Sequence, residues 1–328
     1  MATKIRIATF NLENLDDKPE QKPSLDERIA IMRPQLIRLD ADILCLQEIH
    51  GQETPGEPRR LLALNKLLEN TKYSEYRQVS TITADGAQVY DERNLVILSR
   101  FEISEHNQYR HNHIPAPSYQ KVMSIPAEEE ANKITWERPI LHAKINLPDN
   151  LSIHVINLHL KSRIPSNIKG QKINDYTWKT ASGWAEGYFI SSMKRVGQAL
   201  ETRVLIDHIF DYNEKALVVV CGDFNSTSDN VPVQAIRGDV ENTGNSDLAG
   251  RVLIPCEQTI PEASRFSLLH QGRGEMLDHL MVSRQLLAYY DHTEIHNEIL
   301  HDESIAFATD KMYPESDHAP VIAQFDLP

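Results

Sequence analysis

The segment Val218-Val219-Val220-Cys221-Gly222-Asp223-Phe224-Asn225 constrains the fold more tightly than any other part of this chain. Its β-branched run reads as a buried strand, and Gly222 lets the backbone turn out of it. The strand then delivers a carboxylate, Asp223, and a carboxamide, Asn225, two residues apart. In extended geometry that spacing puts both groups on one face. Such a pair suits a hard cation, an attacking water or a phosphate oxygen, because Asp accepts hydrogen bonds and Asn both accepts and donates. Asp and Asn at a strand end are also ordinary turn residues, so the segment alone does not decide between chemistry and geometry.

Strand signals recur along the chain. Lys4–Phe10, Ala41–Gln47, Arg93–Ser99, Ile140–Leu147, Ser152–Leu160, Ala216–Cys221, Met276–Ser283 and Pro320–Phe325 all read as strands. Helical spacing marks Leu25–Leu39, with Ser24 as its N-cap and Pro34 as a kink or exception, and also Arg60–Leu68 and Ser191–Phe210. Strands with crossover helices, mixed with strands joined directly, argue for mixed sheets. Three segments, 102–137, 163–188 and 226–273, lack strong periodicity, and loops of that length are usually functional or mobile. With no internal repeat and no low-complexity linker, one domain over residues 1–328 is expected.

Composition bounds the function. At 41% hydrophobic and 25% charged residues the balance is that of a soluble globular protein. No run approaches ~18 apolar residues, so no membrane span is expected. Cys45 and Cys221 lie inside apolar runs and read as small buried hydrophobes, so a reducing, cytoplasmic setting is expected. The net charge of −13 argues against affinity resting on broad phosphate neutralisation. It does not exclude a nuclease, because a divalent cation and a few local arginines can offset the field at one site.

Five further polar clusters sit at strand ends. Asn11 follows an apolar strand. Glu48 ends the buried strand through Leu44-Cys45-Leu46 and offers an oxygen ligand suited to Mg²⁺ or Mn²⁺. Asn157, His159 and Lys161 share one face of their strand, three groups that suit a phosphate. Asp278 stands in an otherwise apolar strand and needs a partner. Ser316-Asp317-His318 opens the last strand, and Asp278 is a natural orienter for His318. His111-Asn112-His113 has no third ligand nearby in sequence and reads as surface loop.

The ordered set is Asn11, Glu48, Asn157-x-His159, Gly222-Asp223-x-Asn225, Asp278 and Ser316-Asp317-His318. It resembles the endonuclease/exonuclease/phosphatase superfamily of metal-dependent hydrolases, over nearly the whole chain. The resemblance implies an α/β fold: a four-layer α/β sandwich, two mixed β-sheets packed face to face with helices on the outer faces. It implies Glu48 as the main Mg²⁺ ligand, with Asn11 and Asp317 on the metal side. Asp223 would orient or deprotonate the attacking water, and Asn225 would hold a phosphate oxygen. His318, fixed by Asp278, would contact the scissile phosphate or act as base; His159 would stabilise the transition state or protonate the leaving oxygen. Lys161 and Arg163 are candidates for binding substrate phosphate. Many relatives carry an Arg two residues before the Asp of the penultimate strand; here Met276 stands there, and Arg273 is the nearest substitute.

The expected activity is Mg²⁺-dependent phosphodiester hydrolysis on a phosphoester substrate such as DNA or RNA. A phosphatase on an inositol-phosphate-like metabolite is the alternative, and its lysines and arginines do not form a dense motif here. A sphingomyelinase-type lipid hydrolase ranks lower without a membrane anchor, and an inactive binding protein is disfavoured by the complete set of carboxylates and histidines. No protein partner can be inferred.

Overall fold

The computed structural model describes residues 3–309 and 311–328. Twelve strands build two sheets: β1 (Thr3–Leu15), β2 (Ile43–Ile49), β3 (Arg77–Ser80), β4 (Asn94–Ser99), β5 (Ile103–Tyr109), β6 (Ile140–Asn146), β7 (Ser152–His159), β8 (Leu217–Asp223), β9 (Leu253–Pro255), β10 (Asp278–Ser283), β11 (Tyr290–Ile295) and β12 (Val321–Leu327). The first sheet runs β11-β12-β1-β2-β4-β3 and the second β9-β10-β8-β7-β6-β5. Each has one parallel pair at its centre, β1 with β2 and β7 with β8, and antiparallel neighbours outside.

The parallel pairs require crossovers, and helices supply them. Helix α1 (Leu25–Leu39) links β1 to β2, and α3 (Ala181–Tyr212) links β7 to β8. Ser24 caps α1 in a full capping box with Glu27, and Pro34 lies inside that helix. Helices α2 (Leu62–Leu68) and α4 (Val231–Arg237) complete the outer layers.

Side-chain alternation sorts the core. Ile5, Ile7, Ile43 and Cys45 of the first sheet meet Ile153, Val155, Val219 and Cys221 of the second between the sheets. Ala8, Phe10, Leu44 and Leu46 point outward beneath α1 and α2. Ile156, Leu158, Val218 and Val220 point outward beneath α3 and α4. Both faces of each central strand are therefore buried, which is why these strands read as continuous apolar runs. The result is the expected four-layer sandwich.

Gly222 is required inside β8. Its φ is +136°, and a Cβ there would stand 2.0 Å from the Leu158 carbonyl oxygen of the adjacent strand.

The aperiodic segments contain more order than their sequence suggests. Segment 102–137 holds edge strand β5, and α3 begins ten residues before the periodic stretch Ser191–Phe210. Buried Glu201 of α3 pins the preceding loop: its carboxylate accepts from the backbone N–H of His111, Asn112 and His113 and from Trp136 Nε1, at 2.7–3.1 Å. Among the described residues no helix is long and apolar enough to cross a membrane.

Candidate active site

Sheet register assembles the site. His159 on β7 lies opposite Asp223 on β8, and Asp223 lies opposite Asp278 on β10, so three groups distant in sequence form one row across three strands. All three project from the inter-sheet side of their strands, one end of the face that carries Val155, Val219 and Leu280 in the core. From the other sheet, Asn11 and Glu48 arrive at the same end.

A layer of amides separates this row from the apolar core. Gln47 Nε2 donates to Thr9 Oγ1 at 3.0 Å and to Asn157 Oδ1 at 2.7 Å. Asn157 Nδ2 donates to the carbonyls of Leu46 and Val96 at 3.0 and 2.9 Å. Asn157 is wholly buried and lines no part of the cavity. The sequence pattern expects it beside the substrate; its carboxamide instead ties the second sheet to the first.

Asp223 is the hub. Its Oδ2 lies 3.2 Å from His159 Nε2 and 3.2 Å from Asn11 Nδ2, and accepts from Asn225 Nδ2 at 3.0 Å. Its Oδ1 accepts the backbone N–H of Asn225 at 2.8 Å. Burial pushes this carboxyl up, but His318, His159 and the Asn225 amide outweigh it and hold Asp223 well below the usual carboxylate range. His318 Nδ1 is 2.7 Å from Asp278 Oδ2, while its Nε2 stands 4.0 Å from both Asp223 and Asp317. Burial opposes the imidazolium, yet three carboxylates raise His318 well above its ordinary value. His159 behaves oppositely: burial and the Arg138 guanidinium depress it, against the pull of Asp223 and Glu48. At neutral pH the site therefore holds one cationic and one neutral histidine.

Glu48 Oε1 lies 3.4 Å from His159 Nε2, and its Oε2 accepts the Asn14 backbone N–H at 3.0 Å. Asp317 joins from the loop before β12, where Ser316 Oγ donates to the Asn11 carbonyl at 2.8 Å and so fixes the loop to β1. Burial first, then the charges of Glu48, Glu303 and Asp223, push the Asp317 carboxyl up to about 6, although His318 pulls it down. Glu13, raised to about 8 by burial and by Asp317, accepts the Asp317 backbone N–H at 3.1 Å.

Glu13, Glu48, Asp223 and Asp317 share one cavity of about 460 Å³ with Asn11, His159, Asn225 and His318. Four carboxylates converging there repel one another, and a divalent cation on oxygen ligands relieves that repulsion. The donor set thus fits Mg²⁺ or Mn²⁺. Asp223, Asp278 and His318 also present ligand atoms within 4.8 Å of one another, but Asp278 is engaged by His318. The more accessible oxygens are those of Glu48 and Asp317.

The backbone is strained around this cavity. Five of the eleven described non-glycine residues with positive φ line it: Glu13, Asn14, Glu48, Arg93 and Asn225. Such conformations persist only where surrounding structure over-determines them, and they cluster at functional sites.

Comparison with known proteins identifies the architecture. A model of the endonuclease/exonuclease/phosphatase family matches residues 8–318. The chain belongs to that family. It is accordingly a metal-dependent phosphoesterase, with the family's α/β sandwich. Among solved structures, a family member from Bacteroides thetaiotaomicron aligns with a TM-score of 0.59 at 13% identity, covering 100% of this chain and 96% of that one. A truncated TDP2 from Caenorhabditis elegans aligns with a TM-score of 0.57 at 16% identity, with 98% of each chain covered. NExo from Neisseria, a 3′ phosphatase bound to a product DNA hairpin, gives 0.53 at 15% identity, covering 98% of this chain and 99% of that one. No curated protein matches the sequence.

Within the family frame, the remaining predicted residues divide. Arg163 lines the cavity, donating from Nη1 to Glu275 Oε2 at 2.6 Å and from Nε to the Asn225 carbonyl at 3.2 Å. Lys161 does not line it; that side chain turns into a neighbouring cleft. Arg273 is exposed and outside the cavity, so it does not replace the arginine that Met276 displaces. The cations that sequence reading misses are Arg93 and Arg138. Arg138 is buried, and its Nη1 donates to the carbonyls of His159 and Leu160 at 3.2 and 3.3 Å. Glu13 was also missed. Its position two residues past Asn11 on the same strand was the available signal.

Proposed function

We propose that the chain is a Mg²⁺-dependent phosphodiester hydrolase of nuclease type, acting by attack of water on phosphorus. The observation that carries this reading is Asp223, held ionised between a neutral His159 and a cationic His318, beside the carboxylates of Glu48 and Asp317.

Glu48, with Asn11 and Asp317 alongside, would hold the cation, which when bound supplies Lewis acidity toward a phosphoryl oxygen. Asp223 is the acceptor for a proton of the attacking water and fixes the direction of attack. His159 donates Nε2–H toward Asp223 and keeps it in that orientation. His318 presents its Nε2–H to a non-bridging phosphate oxygen, where negative charge grows in the transition state, and Asp278 fixes its tautomer. Asn225 Nδ2 donates to Asp223 Oδ2 and to the Leu160 carbonyl at 3.0 and 3.1 Å, which commits both of its amide protons, so this carboxamide holds Asp223 in place rather than donating to a phosphate oxygen. A neutral His159 gives its one N–H to Asp223, which favours holding that carboxylate over protonation of the leaving oxygen.

The test is a panel of nicked, abasic and single-stranded DNA, RNA, bis(p-nitrophenyl) phosphate and inositol phosphates, with Mg²⁺ or Mn²⁺, beside Glu48→Ala and His318→Ala. Metal-dependent turnover of a diester that both variants abolish supports the reading. Turnover confined to phosphomonoesters would replace it with a phosphatase, and activity surviving in both variants would overturn the residue roles.

A further inference from the structure

A second cleft of about 460 Å³ borders the catalytic cavity, and its charge is opposite to that of the chain. Lys121, Lys133, Lys161 and Lys194 line it against one carboxylate, Glu137. Lys194 pairs with Glu137 at 3.1 Å, and Lys121 pairs with Glu128 at 3.0 Å. Among the described residues Lys161 meets no carboxylate within ion-pair distance; its Nζ donates to Ser162 Oγ at 2.8 Å and the Ile164 carbonyl at 3.4 Å. Lys133 forms no ion pair among the described residues. Burial, with Arg138 and Lys194 nearby, pushes the Lys161 ammonium down to about 8, against the pull of Glu137. An incoming anion relieves that cost.

One stretch of backbone divides the two cavities. Ser162, Arg163 and Ile164 line the catalytic side, whereas Lys161, Pro165 and Ser166 line the lysine side. Arg138 and Glu137 split in the same way. The wall is braced: Arg195 Nη1 donates to the carbonyls of Lys161 and Ser162 at 2.9 and 3.0 Å, and Ser191 Oγ donates to the Ile164 carbonyl at 2.8 Å. A ligand occupying both sides must therefore be a linked, extended one.

We propose that the lysine-lined cleft binds a neighbouring phosphate of the same substrate, so that the substrate is a nucleic-acid strand passing over the 161–166 wall. This rests on the phosphodiesterase reading of the catalytic cavity. A compact polyphosphate would need its phosphates gathered on one side, where the catalytic cavity presents mainly carboxylates.

The test measures binding without turnover. Metal-free protein is titrated into fluorescein-labelled hexathymidylate across a salt series, comparing wild type, Lys133→Gln/Lys194→Gln and a distant control, Lys4→Gln/Lys215→Gln, with folding checked by thermal melting. One lost phosphate contact makes the plot of log affinity against log salt about 0.7 units shallower in the cleft variant, with affinity about tenfold weaker, and leaves the control unchanged. An unchanged slope and affinity overturn the proposal, as does no strand binding by wild type. Inositol hexakisphosphate that binds while the strand does not also overturns it. Hydrolysis of bis(p-nitrophenyl) phosphate with Mg²⁺ is run in parallel, because its absence in wild type strikes the catalytic reading and not the cleft.

Discussion

His318 and Asp278 meet at 2.7 Å, and that contact orients the imidazole so that Nε2 faces the cavity between Asp223 and Asp317. The pair is buried, and Asp278 is the largest of the charges that raise His318. The folded-state value of His318 lies above the unfolded value, so its cationic form persists above pH 6.5 and is lost as pH rises through the folded value. Activity that needs this imidazolium falls on the alkaline side. Asp278→Asn should move that descending limb to lower pH, and His318→Ala should cost about 10²–10³-fold in kcat, the usual loss for one transition-state donor. A kcat profile in Asp278→Asn that overlays wild type would remove Asp278 from this role.

Metal affinity should carry the signature of Asp317. With its carboxyl raised to about 6, it is largely protonated at pH 5 and ionised at pH 7. Mg²⁺ or Mn²⁺ binding releases that proton, so affinity rises with pH through this window. Calorimetry in buffers of different ionisation enthalpy reads the proton count. Asp317→Asn should flatten the dependence, and Glu48→Gln should abolish the rise in Tm that metal gives to wild type.

Asn157 distinguishes a structural amide from a substrate contact. Asn157→Ala removes the side-chain donor to the carbonyls of Leu46 and Val96 and one of the acceptors of Gln47 Nε2, which keeps Thr9 Oγ1, at a cost of about 3 kcal/mol. Urea denaturation should show that loss, while KM for any diester stays within about twofold. A large KM change with unaltered stability would return Asn157 to the substrate.

The stacked pair His142 and His154 should set the acid limit. Burial, then repulsion from His154 and Lys144, lowers His142 to about 3; burial and Lys144, against the pull of Glu105, lower His154 to about 4, and the ring nitrogens meet at 3.0 Å. Both folded values lie below 6.5, so the unfolded chain takes up protons first. Their contribution to stability is full above pH 6.5 and is lost as pH falls toward 4 and then 3. Tm should drop between pH 7 and pH 5. His142→Gln/His154→Gln should reduce that drop, and an identical drop would assign acid sensitivity to other groups.

Gly222→Ala should destabilise by about 3–5 kcal/mol, combining left-handed strain with the clash on the Leu158 carbonyl. Thermal melting measures it; a loss under about 1 kcal/mol would mean that β7 and β8 can separate without cost.

The sequence by itself determined the central strands of mixed sheets, and its family resemblance implied the sandwich and named part of the cavity lining. Buried central strands are apolar on both faces, so Ile43–Leu46 and Val218–Cys221 are legible from composition, and the polar residues ending them stand out against that background. Edge strands β3, β5 and β11 were not legible, because a strand with one exposed face carries a mixed pattern that resembles loop, and β9 was not because three residues are too few to show a period. Only the tertiary structure decided what each polar group faces. Asn157, His159 and Lys161 share a sequence period, yet the first lies in the inter-sheet amide layer, the second is buried in the lining of the cavity, and the third lies beyond the wall in another cleft. A period of two fixes the face of a strand but not the depth along it, and depth sets dielectric, partners and charge. Arg138 became visible for the same reason: its target is a pair of backbone carbonyls on another strand, and backbone carbonyls leave no mark in sequence.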